Sequence, residues 1–321
     1  MALLGRPYLL IITNLFCNHK CSYCIQQKSS LDVRMNGKKI DVPAVLKFLE
    51  QNRINPRSVK VMGGESTLHP QFEELMDGLL RLYKKIVLTT NINGKWYRDF
   101  DTALEKMKRW GTRIQWNSTF HPEWMEADLY IERIRKMREA GLKLSQVATT
   151  DTPDLTPEIA EKMNNANIGW KLQTFTGRNA EGRLLPQTWE DVNTKYPQLY
   201  DPAKYIDNYQ FYTEECEDAN YSENLFRPGW ISCTTDKFLI GPDNNVYPCH
   251  RHLYVEDKKY IAGNIYDVNM EKFKYKWNNI WGNWTLPCNT KCNPCDFGSV
   301  KIKPLKKAPK KTNTTGVNPE L

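Results

Sequence analysis

No run of apolar residues in this 321-residue chain comes near the ~20 needed to cross a bilayer; the first, Tyr8 to Ile12, stops at Thr13. Nor does a basic start, an apolar stretch and a cleavage site open the chain. Both absences point to a cytoplasmic protein with no membrane partner. Cysteine is missing from residues 25 to 215, and its total of nine is odd. In a reducing compartment a disulfide framework is the less fitting use of such a set. Intrinsic disorder is excluded by 40% apolar and 26% charged residues, and the length excludes a small stapled scaffold.

What is present begins with charge. The net charge is +8, and six lysines against Glu320 in residues 299–321 supply +5 of it. That low-complexity stretch is expected to be a disordered basic tail, and it is where any nucleic-acid partner would be held. The remaining body is close to neutral.

From residue 8 to 175 short β-rich runs alternate with amphipathic helical stretches, the pattern of six βα units around a parallel sheet. The strands read as 8–12, 58–62, 85–89, 112–116, 143–148 and 168–173, each mostly apolar, as where both faces are covered. Helical spacing links Val42, Val45, Leu46 and Leu49 behind an Asp41 N-cap, then Phe72, Leu75, Met76 and Leu79, then Ala127, Tyr130, Ile131, Ile134 and Met137 before a terminating Gly141. Right-handed crossovers curl such units into a partial (β/α)6 TIM-type barrel with its active site at the carboxyl ends of the strands. The α/β core is therefore assigned to 1–175. A tyrosine-rich connecting segment follows over 176–230, then a small β-hairpin-containing domain over 231–298 and the tail over 299–321.

Chemistry concentrates at those strand ends. Cys17, Cys21 and Cys24 put three thiols in one loop after the first strand. A closed zinc site takes four ligands, so three thiols imply completion by His19, a water or a cofactor. A cubane iron–sulfur cluster held by three thiolates would leave one iron open. Spacing alone leaves both readings. Gly63, Gly64 and Glu65 follow the second strand, where glycines permit close backbone approach and a carboxylate suits an amino group.

The CxxxCxxC loop with Tyr23 before its last cysteine, together with Gly63-Gly64-Glu65-Ser66-Thr67-Leu68, resembles the radical S-adenosylmethionine (SAM) superfamily, whose second motif usually carries proline where Ser66 stands. The resemblance implies a 4Fe–4S cluster on Cys17, Cys21 and Cys24 that binds SAM. Tyr23 would meet the adenine and Gly63 to Glu65 the methionyl amine. Asn91, Asn117, Ser118 and Gln173 would lie at the strand ends that face the cofactor. It also implies reductive cleavage of SAM to a 5′-deoxyadenosyl radical that takes a hydrogen atom from substrate. An external electron donor such as flavodoxin or ferredoxin would supply the electron.

The segment from Cys233 to Cys249 resembles the opening of SPASM and twitch auxiliary-cluster domains, with a hairpin turning at Pro242 to Asn245. Ala262-Gly263-Asn264-Ile265 matches a step common there, and a short helix normally lies at Trp277 to Trp284. Cys288, Cys292 and Cys295 close the unit. The resemblance implies a second, auxiliary 4Fe–4S cluster held by Cys233, Cys249, Cys292 and Cys295, with Cys288 as the spare. A zinc ribbon is the rival for the same set. Cys216, in an acidic run, reads as an inert thiol. His250, directly after Cys249, reads either as a base or as a hydrogen-bond donor beside the cluster.

Domain architecture of this kind points to oxidative modification of a peptide or protein side chain. Only sixteen residues precede Cys17, so no appended leader-binding domain is expected before it. Modification of a nucleotide, RNA or small metabolite is the alternative, and a non-catalytic iron–sulfur or zinc protein is a third class.

Overall fold

Local sequence signals and long-range pairing both shape the barrel. In the computed structural model of the protein, the described residues are 6–21, 24, 37–150, 152, 154–173, 176–178, 184–186, 231–254, 260–278, 283–288 and 300–304. The first half alternates β1 (Tyr8–Ile12), α1 (Val42–Gln51), β2 (Ser58–Met62), α2 (Phe72–Leu82), β3 (Ile86–Thr90), α3 (Phe100–Trp110), β4 (Ile114–Phe120), α4 (Ala127–Glu139), β5 (Lys143–Thr150), α5 (Pro157–Asn165) and β6 (Lys171–Gln173). Strands β1 to β6 are adjacent in chain order and parallel throughout. The fold class is therefore the anticipated α/β partial barrel.

The helix boundaries follow from capping. Asp41 Oδ1 accepts from the Ala44 amide at 3.1 Å, with Pro43 inside the first turn of α1. After α4, Gly141 at φ +72° donates its amide to Arg138, and Leu142 donates to Met137, the paired bonds of a Schellman stop.

Burial along the strands departs from expectation. Inner and outer residues alternate strictly in β2, β3 and β4, with only the outer set fully buried. Helices cover the outer face alone, so the barrel interior stays open. Strand β1 is covered on both faces, because a second hydrophobic cluster of Leu10, Ile12, Leu15, Leu239, Tyr247 and Leu253 lies on its inner side.

Half of that cluster, Leu239, Tyr247 and Leu253, comes from the distant C-terminal part of the sequence. The short hairpin β7 (Thr176–Arg178) and β8 (Leu184–Pro186) stands by itself. Then come β9 (Ile231–Thr235), β10 (Lys237–Ile240) and β11 (Asn245–Tyr247). The anticipated hairpin is β10 and β11, and Asn244 takes the left-handed conformation at φ +62° in its turn. It does not stand apart from the barrel: β10 pairs in parallel with β1, Tyr8 opposite Lys237 through Ile11 opposite Ile240. With β12 (Gly263–Asn264) the sheet reaches nine strands.

Two further expectations are corrected. Trp277 to Trp284 holds no helix among its described residues; β13 (Trp277–Asn278) pairs antiparallel with β14 (Asn283–Cys288). The two indoles meet at 4.8 Å and both pack on Phe238, so large aromatic cross-strand contacts select the sheet. The stretch read as a disordered tail opens with β15 (Val300–Pro304), which pairs with β9. Strand β15 forms the edge of a four-stranded sheet with β13, β14 and β9.

Candidate active site

The cysteine loop leaves β1 at its carboxyl end and is braced by neighbouring strand ends. The β1–β2 ladder continues beyond both strands: Thr13 donates to Met62 at 2.9 Å, Gly64 to Asn14 at 2.9 Å and Glu65 to Phe16 at 2.6 Å. A Cβ at Gly63 would strike the Asn14 carbonyl, and one at Gly64 the Phe16 carbonyl. The two glycines are thus required by the close approach of two backbones, whatever else binds beside them.

Glu65 has a role that the sequence reading did not assign. It is fully buried, and its carboxylate accepts from the Thr67 hydroxyl at 2.7 Å, the Thr67 amide at 3.2 Å, the Thr90 hydroxyl at 2.9 Å and the Asn91 amide at 2.8 Å. It therefore ties the end of β2 to the end of β3. Burial raises its pKa above the ordinary carboxyl value, against these hydrogen bonds. Four donors of the chain thus engage this carboxylate.

Asn91 turns toward the cysteine loop. Its side-chain amide donates to Asn18 at 3.0 Å and lies 3.8 Å from Cys17 Sγ. The next residue, Ile92, sits at φ +47°, a conformation β-branched residues rarely adopt, and Arg133 of α4 holds its carbonyl. Cys17 Sγ also accepts from the His19 amide at 3.4 Å. Burial, with the charges of Glu65 and Cys24 adding, pushes the Cys17 thiol up to about 11.

Strand β4 runs four residues beyond its expected end, which relocates two predicted site residues. Asn117 lies on the half-open inner face, where Ser145 bonds its side chain at 2.5 Å. Ser118 faces the helices and accepts from the Tyr130 hydroxyl at 2.9 Å, so it is removed from the set lining the interior. Gln173 ends β6. Tyr23, Cys216, Cys292 and Cys295 lie outside the described residues.

The longer β4 also brings in residues that the sequence reading passed over. His121 and Trp124 follow its true end: His121 Nδ1 lies 3.4 Å from Cys21 Sγ, and Trp124 stacks on His19 at 5.8 Å. Burial lowers the pKa of His19 to about 4 and that of His121 to about 3. The missed signal was Ile114, Trp116 and Phe120 on one face, interrupted only at Ser118, which carries the strand up to His121.

In the second cysteine region, Cys233 and Cys249 are buried, and Cys288 pairs with Ile231 in the β9–β14 register. Continuing the β10–β11 register puts Cys249 opposite Lys237, four positions after Cys233. His250 opens the short helix α6 (His250–Tyr254), and His252 within it stacks on Tyr260 at 4.3 Å. Cys17, Cys21, Cys24, Cys233 and Cys249 are unbridged thiols.

The partial barrel thus carries three thiols on the loop after its first strand. Residues 11–158 match the model of the Radical SAM superfamily, so the chain carries a radical SAM domain and is an enzyme of that class. The family implies a 4Fe–4S cluster and SAM. No curated protein matches the chain. Among solved structures, it is similar to Streptococcus suis SuiB at 14% identity and a TM-score of 0.55, covering 87% of this chain and 67% of SuiB. SuiB bound to its precursor peptide SuiA matches at 14% identity and 0.54, covering 83% of this chain and 64% of that one. SuiB bound to SAM matches at 15% and 0.54, covering 83% and 65%. The likeness is one of fold, and the chain spans about two thirds of SuiB's length. No helix among the described residues is long and apolar enough to cross a membrane.

Proposed function

We propose that Cys17, Cys21 and Cys24 hold the 4Fe–4S cluster of this enzyme, and that the chain uses it to modify a peptide or protein side chain oxidatively. The observation that carries the first half is the loop itself. Three unbridged thiols follow β1, and Cys17 Sγ receives two N–H contacts, from His19 and Asn91, of the kind that support a thiolate bound to iron. When bound, the cluster supplies the electron that cleaves SAM to methionine and a 5′-deoxyadenosyl radical. The residues of the chain position and shield. Gly63 and Gly64 let the β2 end press against the loop backbone, Glu65 locks β2 to β3, and Asn91 reaches from β3 to Asn18 and Cys17. Tyr23 is assigned to the adenine side.

Among the described residues of β2, β3 and β4 the inner face offers Lys60, Thr89, Gln115, Asn117 and Thr119 as polar groups for a substrate, beside Met62 and Val87. Support for a peptide comes from the fold shared with SuiB, which has been seen with a precursor peptide. A second 4Fe–4S cluster is assigned to Cys233, Cys249, Cys292 and Cys295, with Cys288 in reserve and His250 beside it as base or hydrogen-bond donor. The full chain, reconstituted anaerobically and reduced with SAM, is expected to take up about eight irons and to release 5′-deoxyadenosine. Alanine at Cys17, Cys21 or Cys24 is expected to abolish that release. Absence of deoxyadenosine above background sinks the proposal, and four irons plus one zinc replaces the second cluster by a zinc ribbon.

A further inference from the structure

Three metal-binding atoms meet at the barrel mouth in a combination that the cluster loop does not need. His19, Cys21 and His121 each bring one ligand atom, all within 4.8 Å of one another. His19 and Cys21 are buried and His121 is partly so. Cys21 Sγ and His121 Nδ1 stand 3.4 Å apart, and the two imidazoles meet edge to face at 5.2 Å. Neighbouring sulfur and nitrogen ligands of one tetrahedral zinc stand about 3.5 Å apart, from bond lengths of about 2.3 and 2.0–2.1 Å. The Cys21–His121 separation matches two ligands of one ion, and His19 lies within 4.8 Å of both.

Three neighbours hold the His19 ring beside Cys21 and His121. Asn91 Nδ2 lies 3.4 Å from its Nδ1, Asn93 Nδ2 lies 3.1 Å from its Nε2, and Trp124 stacks on its face. An ion on either nitrogen would displace the asparagine amide that now donates to it. The three residues come from two loops, after β1 and after β4, so an ion here would join strand ends that β2 and β3 separate.

We propose that His19, Cys21 and His121 bind one divalent transition-metal ion of the zinc or ferrous class while the cluster is absent, with water in the fourth position. One nitrogen–metal bond forms at each histidine. The Cys21 S–H bond is exchanged for a sulfur–metal bond and its proton passes to solvent, with no change of oxidation state. Cys21 cannot serve this ion and a cluster together, so each excludes the other.

Cobalt(II) is the probe, added anaerobically to the full chain freed of iron. The expected result is one cobalt per chain, with tetrahedral visible bands and a thiolate charge-transfer band. Cys21→Ser removes the charge-transfer band, and His121→Gln and His19→Gln each weaken cobalt binding at least tenfold. Cys17→Ser and Cys24→Ser leave it within twofold. One equivalent of zinc added before reconstitution is expected to cut iron uptake from about eight to about four per chain in the natural protein, and not in His121→Gln. Circular dichroism checks each variant, and if His121→Gln unfolds, His19→Gln carries the same comparison. A cobalt site that depends equally on Cys17 and Cys24, or that survives both histidine changes, overturns the proposal. Failure of the natural chain to take up iron counts against the cluster reading alone, because the cobalt titration decides this site.

Discussion

The two faces of the sheet are built from the same strands and do opposite work. On β4 the outward row is Ile114, Trp116, Ser118 and Phe120, all buried against helices, while the inward row is Gln115, Asn117 and Thr119, all partly open. On β2, Val59 and Val61 are buried outward and Lys60 looks inward. The helices complete the core on one side only, and the interior is left free to be chemical. Stability and function are thereby separated by a single residue step along each strand.

Adjacent substitutions on one strand can break that contrast. Trp116 is fully buried and packs against Trp110 with ring centres 6.3 Å apart. Replacement by alanine is expected to cost about 3–5 kcal/mol in urea unfolding. A loss below about 1 kcal/mol would mean that the outer face is not the main core.

Lys60 tests the opposite sign. Burial, and then the nearby Lys237, lowers its pKa from the ordinary lysine value of 10.5. A lysine that binds its proton less readily when folded lowers stability at neutral pH, and stability returns as pH rises toward 10.5. Lys60→Met is therefore expected to raise stability by ~1 kcal/mol at pH 7, with the gain shrinking as pH climbs. A gain that grows with pH would contradict the burial of the ammonium.

The smallest effect belongs to Asn117, one position from Trp116. Asn117→Ala should leave unfolding within about 0.5 kcal/mol while lowering product formation by the reconstituted enzyme. Equal losses of stability at residues 116 and 117 would erase the distinction between the faces.

Legibility in the sequence followed the range of the interactions. Strands β1 and β2 and the starts of α1, α2 and α4 lie where their own patterns put them, because Asp41, the helical apolar spacing and Gly141 act within a few residues. The end of β4 was misplaced because Asn117 and Ser118 look like loop residues, although one faces an open interior and the other bonds Tyr130. That error concealed His121. The thiol loop and the Gly63-Gly64 pair were legible from spacing, but the engagement of Glu65 was not, since its partners at Thr90 and Asn91 are distant in sequence. The pairing of β10 with β1 has no local signal at all, for it joins residues 8–11 to 237–240.

That last pairing bears on how the enzyme is made. A chain emerging from the ribosome at about 5–20 residues per second leaves the apolar edge of Leu9 to Ile12 without its β10 neighbour for roughly 10–50 seconds. An uncovered edge of this kind invites pairing with other chains. The strand that carries the thiol loop is among the first synthesised and is completed only after most of the polypeptide exists. The edge of β1 is thus closed only when the C-terminal hairpin arrives.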